Sequence, residues 1–178
     1  VFRGIPELLV IYLFYFGGSG LVSAIGQLFG ADGFIEVPPF LIGSLAIGLI
    51  SASYQAEVYR AARLALMPGE VEAASAIGMP RWRIFQRIML PQIARYSLPG
   101  LSNVWQMSLK DSALVSVTGI AELMRASQIA AGSTREYFLF YLIGGGCYLL
   151  LTLASNRAFM RAELRLNRAW LRRSAAQA

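Results

Sequence analysis

Six polar side chains stand within or at the ends of otherwise apolar runs, and their types define the chemistry open to this chain. Asn103, Gln106 and Lys110 are spaced i, i+3 and i+7, so a helix carries them on one face below Pro99; Asp111 follows directly. Tyr54 and Glu57 lie one turn apart near the end of an earlier apolar run. Such groups hydrogen-bond and pair charges. Metal ligation and proton shuttling are disfavoured: there is no His, and the single cysteine, Cys147, sits in an apolar run, so neither a disulfide framework nor a metal cluster is available. Lys or Asp at a bilayer centre costs roughly 2.5–3.5 kcal/mol on insertion scales, so this face is expected to meet a bundle interior or a watery path.

A bilayer is the setting because the 178 residues are 56% hydrophobic with a mean hydropathy of +0.53, high for a domain whose surface must be solvated. The formal charge of +6 comes almost wholly from Arg, in blocks at the ends of apolar runs, which fits membrane orientation better than nucleic acid. Four spans are expected, at about residues 5–16, 40–66, 96–117 and 137–156. Gly17, Gly18 and Gly20 are expected to end the first and lead into a short, partly helical external segment. Residues 31–39, with Asp32 and Glu36 but no Lys or Arg, read as external, and so does the charge-balanced stretch 119–136, which Gly132-Ser133-Thr134 should end. Arg60 and Arg63 mark the inner end of the second span, and Arg157, Arg161, Arg165, Arg168, Arg172 and Arg173 that of the last. Gly144-Gly145-Gly146 allow a neighbouring helix to approach closely.

Between the second and third spans lies the charged, amphipathic stretch 68–91. Pro68 suits a first helical turn, with Glu70 and Glu72 near the positive helix end, and Gly78 can take the left-handed conformation that stops a helix. Pro80 opens a second short helix with Ile84, Phe85 and Ile88 on one side, and Pro91 is expected to interrupt it. Three readings fit this unit: a surface helix whose Arg81, Arg83, Arg87 and Arg95 face anionic lipid, a DNA-reading helix-turn-helix, or a docking loop for a partner protein.

The third reading rests on a resemblance. Glu72-Ala73-Ala74, then Gly78, Ile88 and Leu90-Pro91, resemble the "EAA" signature of bacterial ABC importer permeases, the cytoplasmic loop that docks on the ATPase subunit. The likeness to the polar amino-acid permeases extends from Phe2 to about Glu163. It includes Phe2-Arg3-Gly4-Ile5-Pro6, Tyr54-Gln55-Ala56-Glu57-Val58-Tyr59-Arg60, Leu98-Pro99-Gly100-Leu101-Ser102-Asn103-Val104-Trp105 and Lys110-Asp111-Ser112-Ala113-Leu114. Pro80 departs from the serine more usual there.

The resemblance implies an all-α, polytopic membrane helical bundle, a type I ABC importer permease (MetI-like) with a cytoplasmic coupling helix, in the bacterial inner membrane. It implies a five-span subunit whose first span lies upstream of Val1. The partners implied are a second permease, identical or different, two ATPase subunits, a periplasmic or lipid-anchored amino-acid-binding protein, membrane lipid, and a polar amino-acid substrate, most similar to basic amino acids or opines. No cofactor, metal or nucleic acid is implied, and ATP is hydrolysed by the partners, in keeping with the missing Gly-x-x-x-x-Gly-Lys-Ser/Thr loop.

The expected ATPase-coupling residues are Glu72, Ala73, Ala74, Gly78, Arg81, Arg83 and Arg87. Glu72, read as lying in the first helical turn, caps its own helix or accepts from an ATPase donor. Tyr54, Glu57, Asn103, Gln106, Lys110 and Asp111 are the expected substrate path, offering partners to both ends of a zwitterion. For Glu57 an ion pair with Arg60 or Lys110 is the favoured alternative; for Lys110 and Asp111 it is a gate or clamp. A channel or secondary carrier, and more remotely a membrane-tethered DNA-binding protein, remain as other readings.

Overall fold

The computed structural model describes residues 4–30, 33 and 37–175, with side chains up to residue 167. Phe2, Arg3, Asp32 and Glu36, and the side chains of Arg168, Arg172 and Arg173, lie outside the described residues. Seven α-helices are described: α1 Glu7–Leu28, α2 Pro39–Leu64, α3 Pro68–Ala76, α4 Arg81–Ile84, α5 Leu90–Leu114, α6 Leu123–Thr134 and α7 Tyr137–Ala175. A π-helical turn, Phe85–Met89, joins α4 to α5, a 3-10 turn, Val115–Thr118, follows α5, and there is no strand among the described residues. By length and composition α1, α2 and the stretch Tyr137–Asn167 of α7 are apolar enough to cross a membrane. Helix α5 matches them in length, but its polar residues keep it outside that set.

The helices form two compact units, Val1–Ser53 with Trp105–Thr152 and Tyr54–Val104 with Leu153–Ala178. In the first, Ile11, Ala46 and Val115 form a closed core lined by Phe14, Ile47, Leu114 and Ile120. A tight seam lies at Gly43, where an added Cβ would stand 2.8 Å from Val115 Cγ1 and 2.9 Å from Ile120 Cδ1. Helix α6 starts at Glu122, whose carboxylate accepts from the backbone N–H of Met124 (2.7 Å) and Arg125 (2.6 Å), the arrangement of an N-cap. The same carboxylate accepts from Tyr148 Oη of α7 at 3.0 Å. As expected, α6 ends after Gly132-Ser133-Thr134, with Arg135 in the left-handed region at φ 63°.

Two expected breaks are absent. Helix α1 runs unbroken through Gly17, Gly18 and Gly20 to Leu28. A glycine costs about 1 kcal/mol relative to Ala in a helix, whereas each backbone group left unbonded in an apolar medium costs several, so the ladder persists. Pro91 likewise does not interrupt: it is the second residue of α5. The π-helical turn before it accommodates the proline, because the N–H of Leu90 bonds five residues back to the carbonyl of Phe85, shifting the ladder where Pro91 lacks a donor.

The second unit is built on the close approach of α2 and α5. An added Cβ at Gly100 would fall 2.7 Å from Val58 Cγ1. At the start of α5, Arg95 Nε donates to Asn167 Oδ1 of α7 at 2.7 Å.

Candidate functional site

The stretch 68–91 forms two short helices around a turn. Pro68 occupies the first helical position of α3, and Met67 caps it without a side-chain bond. The acidic residue of the first turn is Glu70, not Glu72, and its carboxylate accepts from the Gln92 side-chain amide, tying α3 to the start of α5. Glu72 falls in the second turn, exposed, with neither hydrogen bond nor ion pair to any described residue, so the capping role expected of it belongs to a position it does not occupy.

Gly78 has φ +78°. The N–H of Gly78 donates to Ser75 O at 3.0 Å and that of Met79 to Ala74 O at 3.1 Å, the paired bonds of a Schellman turn that satisfy carbonyls left over at the end of α3. Ala74 is buried and Ala73 exposed. Beyond the turn the carbonyl of Pro80 accepts from Arg83 N (2.9 Å) and Ile84 N (3.1 Å), starting α4.

Of the three apolar residues expected on one side, Ile84 is buried and Ile88 half-buried, but Phe85 faces outward. It stacks on Trp82 with ring centroids 5.9 Å apart and planes at 23°. Phe85 is one helical step of about 100° round from Ile84, which puts it at the edge of the buried stripe. Arg81, Arg83 and Arg87 flank this pair in sequence, exposed and without partners among the described residues. The loop thus presents an aromatic pair, an unpaired carboxylate and three unpaired guanidiniums, of which the aromatic pair was not foreseen.

On α5, Ser97 and Val104 are buried, Gly100 abuts Val58, and Ser108 Oγ donates to Ser51 Oγ at 3.1 Å. These residues mark the stripe that packs against the chain's own helices. Asn103, Gln106 and Lys110 lie on the other side of the helix; Asn103 and Lys110 are exposed and Gln106 half-buried. Among the described residues, Asn103 and Lys110 on this face are left uncovered, and Gln106 between them is partly covered. Asp111 is half-buried and one helical step of about 100° round from Lys110, so it does not share that face. Tyr54 is half-buried, and Glu57 pairs with Arg60 at 3.8 Å, the ion pair weighed against a substrate role.

This helical chain, with its apolar spans, intervening charged turn and partly exposed polar face, belongs to the family described as the binding-protein-dependent transport system inner membrane component, which matches residues 1–168. It is an inner-membrane permease component of an ABC transport system, a class whose members are not themselves enzymes and which works with an ATPase and a binding protein. Neither a channel, a secondary carrier nor a DNA-binding protein is favoured by that membership.

The chain is 59% identical over 163 residues to the octopine transport system permease protein of Rhizobium meliloti, covering 92% of this chain and 69% of that one. It is 37% identical over 163 residues to the histidine/lysine/arginine/ornithine transport system permease protein of Escherichia coli strain K12, covering 92% and 71%. Among solved structures, that of an amino acid ABC transporter with histidines aligns with a TM-score of 0.75 at 34% identity, over 92% of this chain and 71% of its counterpart.

Proposed function

We propose that this chain lines the translocation path of an ATP-driven importer for a polar, cationic amino acid or an opine, working by alternating access with a second permease subunit. The observation that carries this reading is the polar face of α5, on which Asn103 and Lys110 are exposed. A stripe of two amides and an ammonium on an apolar chain calls for a water-filled path or a second subunit on that side. Asn103, Gln106 and Lys110 supply hydrogen bonds and a positive charge suited to an α-carboxylate. Glu57 supplies a carboxylate for a cationic group once Arg60 releases it, and Tyr54 and Asp111 support the path from the packed side. The names of the relatives, which cite octopine and basic amino acids, support this substrate class.

The turn at Gly78 is the coupling device in this proposal. Ala73 permits close docking while Ala74 packs beneath it against its own chain, Glu72 accepts from a donor on the ATPase, and Arg81, Arg83 and Arg87 meet its carboxylates. The Schellman turn fixes the angle between α3 and α4, so motion of the ATPases is passed through the π-helical turn directly into α5. The Arg blocks support an orientation with 68–91 and everything after Arg157 inside, and 32–38 and 125–135 outside.

The test is co-purification of the tagged chain with its ATPase subunits. The proposal expects stable capture that Gly78→Val weakens. Capture unaffected by changes anywhere in 68–91 would contradict the coupling role.

A further inference from the structure

The inner part of α7 has two unlike faces. Phe159, Ala162, Glu163 and Asn167 are half-buried, and Asn167 is held by Arg95 of α5 at 2.7 Å. On the opposite face Arg157, Arg161 and Arg165 stand at i, i+4 and i+8, all exposed and none with a hydrogen bond or ion pair to a described residue. Beside them runs an apolar stripe, Met160 at 59% and Leu164 at 48% exposure. In sequence the basic period continues through Arg168 and Arg172. The charge-free run of α7, Tyr137 to Asn156, stops just before Arg157, so the two rows begin where that run ends.

We propose that this face is a docking surface for anionic phospholipid headgroups, which tilt the inner end of α7 toward the membrane surface. Guanidiniums make charge-assisted, bidentate bonds to phosphate, and the adjacent Met160 and Leu164 enter the headgroup boundary while the Arg stems lie along it. A span alone needs only a flanking positive charge. A periodic row of cations alongside an apolar row, on the face turned away from the chain's own packing, is the pattern of a helix that meets an anionic interface. The Arg95–Asn167 bond joins this tail to the start of α5, so attachment to lipid would be felt at the helix that follows the coupling turn. This inference rests on the membrane reading of α7, and its test separates the two.

The experiment places a single spin label on the full chain, in a Cys147→Ala background, in nanodiscs of phosphatidylcholine alone or mixed with phosphatidylglycerol. A label at Leu150→Cys reports the span and one at Leu164→Cys reports the tail. The label at 150 should be deep in both lipids. The label at 164 should move from water to the headgroup boundary only with phosphatidylglycerol, and high salt should reverse the shift. The ratio of surface-bound to water-exposed tail should fall about fivefold for each Arg→Gln change at 157, 161 and 165, and the triple Arg→Lys variant should keep most of it. A deep label at 150 with a label at 164 indifferent to phosphatidylglycerol overturns the lipid surface alone. Protection of 164 only on adding ATPase subunits overturns it in favour of a protein contact, and a shallow label at 150 overturns the membrane reading beneath it.

Discussion

Gly78→Val isolates backbone geometry at the coupling turn. An added Cβ at residue 78 would meet nothing within 4 Å, so no clash confuses the result, and the effect comes from φ +78° alone. An L-residue in the left-handed region costs about 1–2 kcal/mol, and a β-branched one more. At ~1.4 kcal/mol per tenfold, Ala should deplete the native turn roughly 5–30-fold and Val further. With the turn go the bonds from Gly78 N to Ser75 O and from Met79 N to Ala74 O, and the fixed angle between α3 and α4. Asn tolerates the left-handed region and should retain most function. The assay is amino-acid uptake by cells carrying each variant, with ATPase co-purification and membrane-fraction yield measured in parallel. Val should abolish uptake and weaken ATPase capture at normal membrane yield, Ala should be intermediate, and exposed, unpaired Glu72→Ala should be milder than Val. Normal uptake by Gly78→Val, or equal loss in Asn and Val, would refute the reasoning.

Three further outcomes are expected. Gly144→Ala places a Cβ 2.5 Å from Ser127 Oγ but 3.4 Å from Ser127 Cβ, so it should destabilise the purified chain by about 1–3 kcal/mol, and adding Ser127→Ala should recover most of the lost thermal stability. Asn103→Leu and Gln106→Leu should each change which amino acids stimulate ATP hydrolysis in the reconstituted complex, by about 1–3 kcal/mol of binding, with basal hydrolysis intact; unchanged selectivity in both would assign the face to packing. A cysteine at position 75, in the Cys147→Ala background, should resist an impermeant reagent added outside, and labelling there would invert the topology.

The coupling turn was legible because proline and glycine act at fixed offsets from a helix end: Pro68 does open α3 and Gly78 does close it. Glu72 was read into the first turn, although counting from Pro68 gives that position to Glu70. The breaks expected in α1 and at Pro91 failed for a common reason. Local propensity is worth about 1–3 kcal/mol per residue, and an apolar setting or a π-helical shift of the ladder outweighs it. The polar stripe of α5 followed from spacing alone. That it points away from the chain's own helices depends on the approach of Gly100 to Val58, which no local pattern encodes. The Tyr148–Glu122 bond joins residues 26 apart and carried no sequence signal.

The central claim is that this chain is the membrane path of a transporter driven by partner ATPases and fed by a binding protein. The most direct measurement is uptake of radiolabelled arginine or octopine into proteoliposomes holding the chain, its permease partner and the ATPase subunits, with ATP inside and the binding protein outside. Accumulation that requires both ATP and the binding protein is the predicted result. Uptake by this chain without the ATPase subunits would contradict it.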